Sequence, residues 1–341
     1  MSRYEPIESP DETTVFEYHD LEPPTTGDVF RARRVIREHL PRTPLVRSEG
    51  LSERFDADVY LKREDTLPTG AFKVRGGVTL AATLPAEFRE TGLAAASTGN
   101  HGQSIAYAGR LIDVPVVVGV PEDANPDKVT AMEQLGARIE RFGADYDEAR
   151  EHIERLVAKE GYRYVHSANE PKLVAGVATA GLEVIEDLPE VDHLFCPVGG
   201  GSSAAGYCLT VGEIADAAIV GVQSEAAPAA YEAWRDDHLE QHDSLETFAE
   251  GLATRTPFAL TQRIMRERLE EMVLVSETDL RRWMRRLLAD EHVVAEGASA
   301  AALAGLERKA EEVAGGTVVV PISGRNVDLE KLMNVIETTG E

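Results

Sequence analysis

Short apolar runs alternate with longer amphipathic stretches along most of the chain. Runs rich in β-branched and small apolar residues predict strands at 57–63, 93–97, 115–120, 137–142, 192–198, 217–223, 272–276 and 316–322. Apolar residues at helical spacing predict helices at 27–40, 72–84, 100–112, 125–135, 145–159, 171–187, 202–214, 258–270, 277–290 and 297–313. Because the strand runs do not alternate with polar residues, they are typical of parallel strands covered on both faces. The pattern therefore predicts an α/β fold with parallel sheets.

The composition is that of a globular protein large enough for two domains. The chain has 341 residues, of which 43% are hydrophobic. No apolar run approaches the ~18 residues that a membrane span needs. The polar start, "MSRYEPIESPDE", is unlike a signal peptide. Cys196 and Cys208 are too few for a disulfide framework or a zinc cluster, so a reducing cytoplasm is expected.

The net charge of −25 changes the picture of the surface and of its partners. Such a charge repels nucleic acid and anionic membranes, so neither is an expected partner. The acidic residues are spread along the chain, and only seven lysines are present. This composition predicts a protein adapted to high salt, where screening removes the self-repulsion. The alternative is an acidic protein of a mesophilic organism, without adaptation to high salt.

Four glycine-containing segments follow predicted strands and precede predicted helices. They are "TLPTGAFKVRGG", "TGNHGQS", "GGGSSAAG" and "SGRNVD". Ligand sites in parallel sheets lie beyond the carboxyl ends of the strands. The four segments are therefore the candidates for chemistry.

The segment "PVGGGSSAAG" predicts a site for a phosphate group. Gly199, Gly200 and Gly201 let the backbone approach an anion, and Ser202 adds a hydroxyl at the start of a helix. The segment lacks the lysine and spacing of a nucleotide-triphosphate loop, and it lacks the GxGxxG of a dinucleotide site. A tight turn without a ligand is the alternative interpretation.

Lys73 lies where a structural lysine is unfavourable, near the start of a predicted helix. The helix dipole and the neighbours Phe72 and Val74 favour the neutral amine, which is the form that makes Schiff bases. An exposed helix lysine is the alternative. A lysine of this kind together with a monophosphate site suggests pyridoxal 5′-phosphate.

The segment "STGNHGQS" offers groups that suit a substrate carboxylate. Ser97, Thr98, Asn100 and His101 lie at a strand-to-helix turn, where hydroxyls, an amide and free N–H groups come together. A surface histidine at a helix start is the alternative for His101.

From about residue 27 to the end, the chain resembles the fold-type II pyridoxal-phosphate enzymes, in particular the serine/threonine dehydratase and serine racemase group. "KREDTLPTGAFKVRGG" is similar to the segment that carries the family's Schiff-base lysine, and "STGNHGQS" to its substrate-carboxylate segment. "PVGGGSSAAG" is similar to its phosphate loop, and "ISGRNVD" to its S-G-G-N segment. The four motifs occur in the family's order, which makes the resemblance specific.

The resemblance implies a role for each matching residue. The cofactor would be held by Phe72, Lys73, Asn100, Gly199, Gly200, Gly201, Ser202 and Ser323. The substrate would be bound by Ser97, Thr98, Asn100, His101 and Arg150. Lys73 would be the general base, and Thr98 stands where racemases carry a second acid/base serine. A neutral Ser323 beside the pyridine nitrogen leaves that nitrogen unprotonated, which favours β-elimination over transamination.

The resemblance also implies the architecture. Residues 1–89 and 167–341 would form a large cofactor-binding domain, and residues 90–166 a small inserted one. The cofactor would lie in the cleft between these two domains. Members of the group are commonly dimers or tetramers, so a homo-oligomer is expected.

Some positions depart from the family pattern. Ser202 and Arg325 replace usual glycines, and "AGVAT" at 175–179 replaces A-G-Q-G-T. Tyr231 stands where metal-activated members carry an aspartate six residues after Glu225, so no metal site is expected. Arg255 either meets an extra substrate carboxylate or lies on the surface, and the surface is the favoured interpretation.

The activity implied is elimination of water and ammonia from L-threonine or L-serine. Serine racemase, 3-hydroxyaspartate dehydratase and threonine synthase are alternatives within the family. A ligand-binding protein without activity on the same scaffold is the alternative from another class, and the intact Lys73 and Ser323 argue against it.

The acidic surface generates a prediction about salt. Stability and activity should rise from dilute buffer into molar potassium chloride, because screening weakens the repulsion among the surface carboxylates. Thermal denaturation and initial rates over a salt series measure both. Maximal activity in dilute buffer with precipitation in molar salt would show that the composition is not an adaptation to salt.

Overall fold

Two separate sheets organise the chain in the computed structural model, which describes residues 21–242 and 245–337. In the first sheet the order is β1-β2-β10-β7-β8-β9, with β1 antiparallel to β2 and the other neighbours parallel. In the second the order is β5-β4-β3-β6, all parallel. The strands are β1 Leu45–Arg47, β2 Asp58–Lys62, β3 Leu93–Ala96, β4 Val116–Val120, β5 Arg138–Arg141, β6 Arg163–Tyr164, β7 His193–Pro197, β8 Ala218–Ser224, β9 Glu271–Val275 and β10 Thr317–Pro321.

Helices connect the strands. They are α1 Thr26–His39, α2 Glu49–Phe55, α3 Val74–Ala82, α4 Asn100–Ile112, α5 Pro126–Gln134, α6 Tyr146–Glu160, α7 Pro171–Asp187, α8 Ser202–Tyr207, α9 Ala229–Asp236, α10 Ala259–Arg268, α11 Glu277–Ala289, α12 Gly297–Arg308, α13 Ala310–Val313 and α14 Leu329–Glu337. Side-chain caps mark several of their starts. At α11, for example, Ser276 and Asp279 form a reciprocal capping box that satisfies N–H groups of the first turn.

The predicted α/β class with parallel sheets is confirmed, and all eight predicted strands occur within one residue of their expected bounds. The strands β1 and β6 and the helices α2, α9 and α14 were not predicted. The two strands are only three and two residues long, too short for a periodic pattern. The acidic stretch at the start of the chain lies outside the described residues.

Two helices that were predicted to be continuous are interrupted in the structure. The helix expected at 202–214 is α8 followed by a π-helical turn at Cys208–Gly212. The helix expected at 297–313 is broken between α12 and α13 at Lys309, whose φ of −114° and ψ of 15° leave the helical region. In both cases the buried face continues past the interruption, so the apolar spacing gives no sign of it.

The boundaries of the two predicted domains stay a prediction. All four strands of the second sheet fall between residues 93 and 164, inside the expected 90–166. The hydrophobic core around that sheet, however, also contains Ile36 of α1, Val74 of α3 and Leu173 of α7. The core around the second sheet therefore includes residues of helices that lie outside 90–166 in the sequence. Within the described residues, no helix is both long and apolar enough to cross a membrane.

A buried ionic network joins β2, α3 and α7. The Arg75 guanidinium donates to Glu64 at 2.7 and 2.9 Å and to Glu183 at 2.9 and 2.8 Å. The Lys62 amine donates to Glu183 at 2.7 Å. Thr43 adds a hydroxyl that donates to Glu64 and accepts from Arg75. The network thus contains two cations and two carboxylates and is electrically balanced.

The balance sets the ionisation of the network. Burial opposes the ionised form of Glu183, but Arg75 and Lys62 outweigh it and lower the pKa of Glu183 to about 2. Burial likewise opposes the charge of Arg75, but Glu64 and Glu183 raise the pKa of Arg75. Removing one partner would leave an uncompensated charge in the interior.

Arg75→Met should therefore lower the free energy of unfolding by about 3–5 kcal/mol, because Glu64 would stay buried without its cation and Glu183 would keep only Lys62. Denaturant unfolding measures the change. Arg47→Met is the matched control, since Arg47 also pairs with two carboxylates, Glu49 and Asp58, but at the surface. The control should change stability far less. Equal effects of the two substitutions would contradict the prediction.

Candidate active site

The four glycine-containing segments lie at carboxyl ends of parallel strands. Three of them follow β2, β10 and β7, which are neighbours in the first sheet. The fourth follows β3 of the second sheet. An antiparallel bridge between Ala71 and Gly324, and a bond from the Phe72 N–H to the Ser323 carbonyl at 2.9 Å, join the first segment to the one after β10.

Lys73 is the last residue before α3, which begins at Val74, two residues later than the predicted helix start at 72. Its amine donates to the Ser167 carbonyl at 2.9 Å and to the Ser202 hydroxyl at 3.0 Å. It also lies 5.5 Å from the centre of the Phe72 ring. Burial lowers the pKa of the Lys73 amine to about 8. The residue is thus poised to lose its proton near neutral pH, as a nucleophilic amine requires.

The backbone of Lys73 is fixed from the second sheet. The Ser104 hydroxyl of α4 donates to the Lys73 carbonyl at 2.7 Å. A Cβ built on Gly77 of α3 would lie 2.4 Å from the Ser104 oxygen, so α3 and α4 can approach only because position 77 has no side chain.

The glycine loop at 199–201 brings backbone N–H groups next to this amine. Gly201 has φ of +81°, in the left-handed region that glycine tolerates, and α8 begins directly after it. A Cβ on Gly199 would lie 2.1 Å from the Gly251 carbonyl oxygen, and one on Gly200 would lie 2.8 Å from the Phe258 ring. Close packing of the protein therefore requires glycine at these positions, whether or not a ligand is bound. The bond between Ser202 and Lys73 places the predicted phosphate site beside the predicted nucleophile.

His101 lies in the first turn of α4 with a neutral ring. Its Nε2 is 2.9 Å from the Val165 carbonyl, and its Nδ1 is buried with no partner among the described residues. Burial, and then the charge of Lys73, lower the pKa of His101 to about 3. Because Nε2 must donate to the carbonyl, Nδ1 is an acceptor. The neutral ring could therefore accept a hydrogen bond from a ligand through Nδ1, whereas free N–H groups at the start of α4 could donate to a carboxylate.

The turn before His101 leaves room for a ligand. The Ser97 hydroxyl accepts from the Gly99 N–H at 3.2 Å, and a Cβ built on Gly99 would meet nothing within 4 Å. Thr98 is half-buried, and its hydroxyl has no hydrogen-bond partner within residues 21–242 and 245–337.

Asn100 connects the second sheet to the first. Its amide nitrogen donates to both carboxylate oxygens of Glu296 at 3.1 and 3.0 Å, and its amide oxygen accepts from Asn326 at 2.6 Å. Burial raises the pKa of Glu296 to about 7. Sequence analysis missed Glu296 and Asn326. The sequence offered one sign of Glu296: an acidic residue directly before the small residues with which α12 begins.

Ser323 has a neutral environment. Its hydroxyl is 3.0 Å from the Ser299 hydroxyl, and both residues are buried. Ser299 also bonds the backbone of Gly324, which fixes the loop after β10. A hydroxyl pair of this kind can share a hydrogen bond with a neutral ring nitrogen and offers no carboxylate to protonate it. Ser299 was not predicted.

Arg150 is compensated by carboxylates of its own helix. Its guanidinium lies 2.9 Å from the buried Glu154 and 3.7 Å from Asp147. Arg255, the second arginine considered for the substrate, lies 3.1 Å from the same Asp147. Arg325 is exposed, and its backbone N–H donates to the Gly70 carbonyl.

His166 is a further residue that sequence analysis missed. Its Nδ1 accepts the N–H groups of Ala168 at 3.0 Å and Asn169 at 2.9 Å. These bonds fix the turn that contains Ser167, whose carbonyl accepts from Lys73. Burial is the main reason that the pKa of His166 falls to about 3.

The two residues at the position of the family's metal site, Glu225 and Tyr231, have arginine partners in this structure. Glu225 lies 3.4 Å from the Arg308 guanidinium, and the Tyr231 ring faces Arg235. Among the described residues, no three histidine, cysteine or acidic side chains are grouped to hold a metal ion.

The residues present fit pyridoxal phosphate. The structure supplies a buried amine of lowered pKa, a glycine loop at a helix start beside it, and a buried neutral hydroxyl pair. The unpartnered Nδ1 of His101 and the open space at Gly99 are where polar groups of a ligand are expected.

Comparisons with known proteins agree with this chemistry. The model of the pyridoxal-phosphate dependent enzyme family matches residues 36–324. The L-threonine ammonia-lyase of Thermotoga maritima is 36% identical over 92% of this chain and 78% of that protein. The L-threo-3-hydroxyaspartate ammonia-lyase of Saccharomyces cerevisiae is 34% identical over 92% of this chain and 96% of that protein.

The fold is also similar to solved structures. The processed form of threonine deaminase isoform 2 from Solanum lycopersicum superposes with a TM-score of 0.87 at 28% identity, over 94% of this chain and 96% of that chain. Maize serine racemase has the same fold, with a TM-score of 0.87 at 24% identity. The match over most of the chain and the geometry around Lys73 agree: the chain belongs to the family of pyridoxal-phosphate-dependent enzymes.

Proposed function

We propose that this enzyme is an ammonia-lyase that converts L-threonine or L-serine into a 2-oxo acid and ammonia. The observation that carries the proposal is the bond between the Lys73 amine and Ser202. It brings a base of lowered pKa to the site where the cofactor phosphate would be bound. The cofactor would be held by Lys73, Asn100, Ser323 and the backbone of the glycine loop, with the Phe72 ring packed beside the amine.

When bound, pyridoxal phosphate supplies an electron sink for negative charge at the substrate Cα. The neutral Lys73 amine takes the Cα proton. The start of α4 holds the substrate carboxylate through N–H groups, with Ser97 fixing the turn. The β-hydroxyl would leave as water with the proton that Lys73 has taken, and the remaining enamine would hydrolyse to the 2-oxo acid and ammonia. The neutral pair of Ser299 and Ser323 keeps the sink weak, which favours elimination.

A substrate with a neutral side chain fits the charges better than 3-hydroxyaspartate does. The carboxylates of Asp147 and Glu154 already compensate Arg150, and Asp147 also faces Arg255. Glu296 adds a further carboxylate near Asn100. A second substrate carboxylate would therefore meet no free cation among these side chains. The relative from yeast that is named for 3-hydroxyaspartate makes that compound the first competitor to assay.

We further propose a cytoplasmic enzyme adapted to high salt that works as a homo-oligomer. The charge of −25 and the scarcity of lysine support the adaptation to salt. Cys196 and Cys208 are buried free thiols, which agrees with a reducing compartment. The homo-oligomer rests on the resemblance to the dehydratase group.

Lys73→Arg should keep the fold and reduce release of 2-oxo acid by more than about a hundredfold, because a guanidinium cannot act as base at neutral pH. Release is assayed with threonine, serine and 3-hydroxyaspartate. Lys172→Arg is the control for loss of a lysine away from the site, since Lys172 is an exposed lysine that donates to the Thr83 carbonyl. Borohydride reduction of the wild type should attach the cofactor to the peptide that contains Lys73. Attachment to another lysine would refute the assignment.

Elimination should be faster than racemisation of the substrate, because Thr98 is a poor second acid/base. Its hydroxyl is available, but its β-branched side chain has restricted χ1 freedom, so its delivery of a proton to Cα is less efficient than a serine's. Chiral analysis of residual serine beside pyruvate release measures the ratio. Thr98→Ala should spare pyruvate, and Thr98→Ser should increase D-serine. Faster appearance of D-serine than of pyruvate in the wild type would make the enzyme a racemase.

A further inference from the structure

Three charged side chains join the two sheets at some distance from the reacting groups. Glu250 accepts from the Lys128 amine through one carboxylate oxygen and from the Lys331 amine through the other. Lys128 belongs to α5, which follows β4 of the second sheet. Glu250 and Lys331 belong to segments that pack around the first sheet, with Lys331 on α14. The Lys128–Glu250 pair therefore crosses from one sheet to the other, whereas the Lys331–Glu250 pair does not.

Gly251, which follows Glu250 in the chain, packs against the predicted cofactor site. A Cβ built on Gly199 of the glycine loop would lie 2.1 Å from the Gly251 carbonyl oxygen. A Cβ built on Gly251 would lie 3.6 Å from a Glu296 carboxylate oxygen. The residue that follows Glu250 therefore packs closely against the glycine loop and near the carboxylate that binds Asn100.

The space next to these charged side chains is not filled by apolar residues. A cavity of about 350 Å³ lies beside the charged group, between Asn125 at the start of α5 and Phe248, Arg281 and Lys331 on the other side. The Lys128 side chain is 13% exposed and the Glu250 side chain 43%, so the pair is reachable by water and can break.

We propose that Glu250 is a positioning residue that holds α5, and with it the second sheet, closed over the substrate by binding Lys128. Opening for substrate entry breaks the Lys128 pair, while Lys331 retains Glu250 in place. Closure excludes water from the site, and an enzyme that spends less time closed has a lower apparent affinity for substrate. The proposal rests on the proposed function for the identity of its substrate.

Glu250→Gln should raise the KM for threonine about two- to fivefold, since partly exposed ion pairs are weak, and should change kcat little. Glu271→Gln is the matched control. The Glu271 side chain is 42% exposed and pairs with Lys309 at 2.6 Å, on β9 and away from the second sheet. The control should leave KM unchanged.

The two lysines separate closure from local structure. Lys128→Met should reproduce the KM of Glu250→Gln, and Lys331→Met should have the smaller effect. The double variant of Lys128→Met and Glu250→Gln should not exceed Glu250→Gln alone, because both remove the same pair.

Hydrogen exchange of the holoenzyme tests closure without turnover. Backbone amides of residues 126–134 should exchange faster in Glu250→Gln than in the wild type and in Glu271→Gln. Unchanged KM and unchanged exchange would overturn the proposal, as would a parallel loss of kcat and thermal stability. If the wild type released no 2-oxo acid from any hydroxy amino acid, the proposed function would fail, and the exchange measurement would still decide the role of Glu250.

Discussion

The position of the nucleophile depends on a buried set of compensated charges. Arg75, two residues after Lys73, binds Glu64 on the β2 side and Glu183 on α7. A buried guanidinium is stable only when carboxylates surround it with good geometry. Their arrangement therefore fixes the rotation of α3 about its axis and its depth between β2 and α7. The direction in which the chain enters α3, and so the direction of the Lys73 side chain, follows from this constraint.

The site itself is arranged around neutral groups. Burial keeps the rings of His101 and His166 uncharged and lowers the pKa of Lys73, and the Ser299–Ser323 pair carries no charge. In a poorly hydrated site, charge is costly unless it is paired. A charged cofactor and a zwitterionic substrate would bring their own charges into this site of neutral side chains. The protein then needs to supply N–H groups and hydroxyls, which bind charge without requiring compensation elsewhere.

Polar contacts that join the two sheets are therefore of two kinds. Asn100 binds Glu296 and Asn326 in the interior, and Lys128 binds Glu250 nearer the surface. In contrast, α3 and α4 are joined by close packing at Gly77, where no movement is tolerated without loss of contact. The molecule thus combines a closely packed helix junction with polar contacts between side chains.

The sequence by itself determined the alternation of strands and helices, because parallel strands covered on both faces leave a distinct apolar pattern. It also predicted the chemistry of the four segments, because their motifs occur in the order that one enzyme family has. Only the tertiary structure placed Glu296, Ser299, Asn326 and His166 at the site and Arg150 among carboxylates. These residues act through partners distant in the chain, such as Glu296 and Asn100 at a separation of 196 residues. Hydrophobic periodicity and local motifs contain no information about such pairs, because the pairs exist only after the helices have packed.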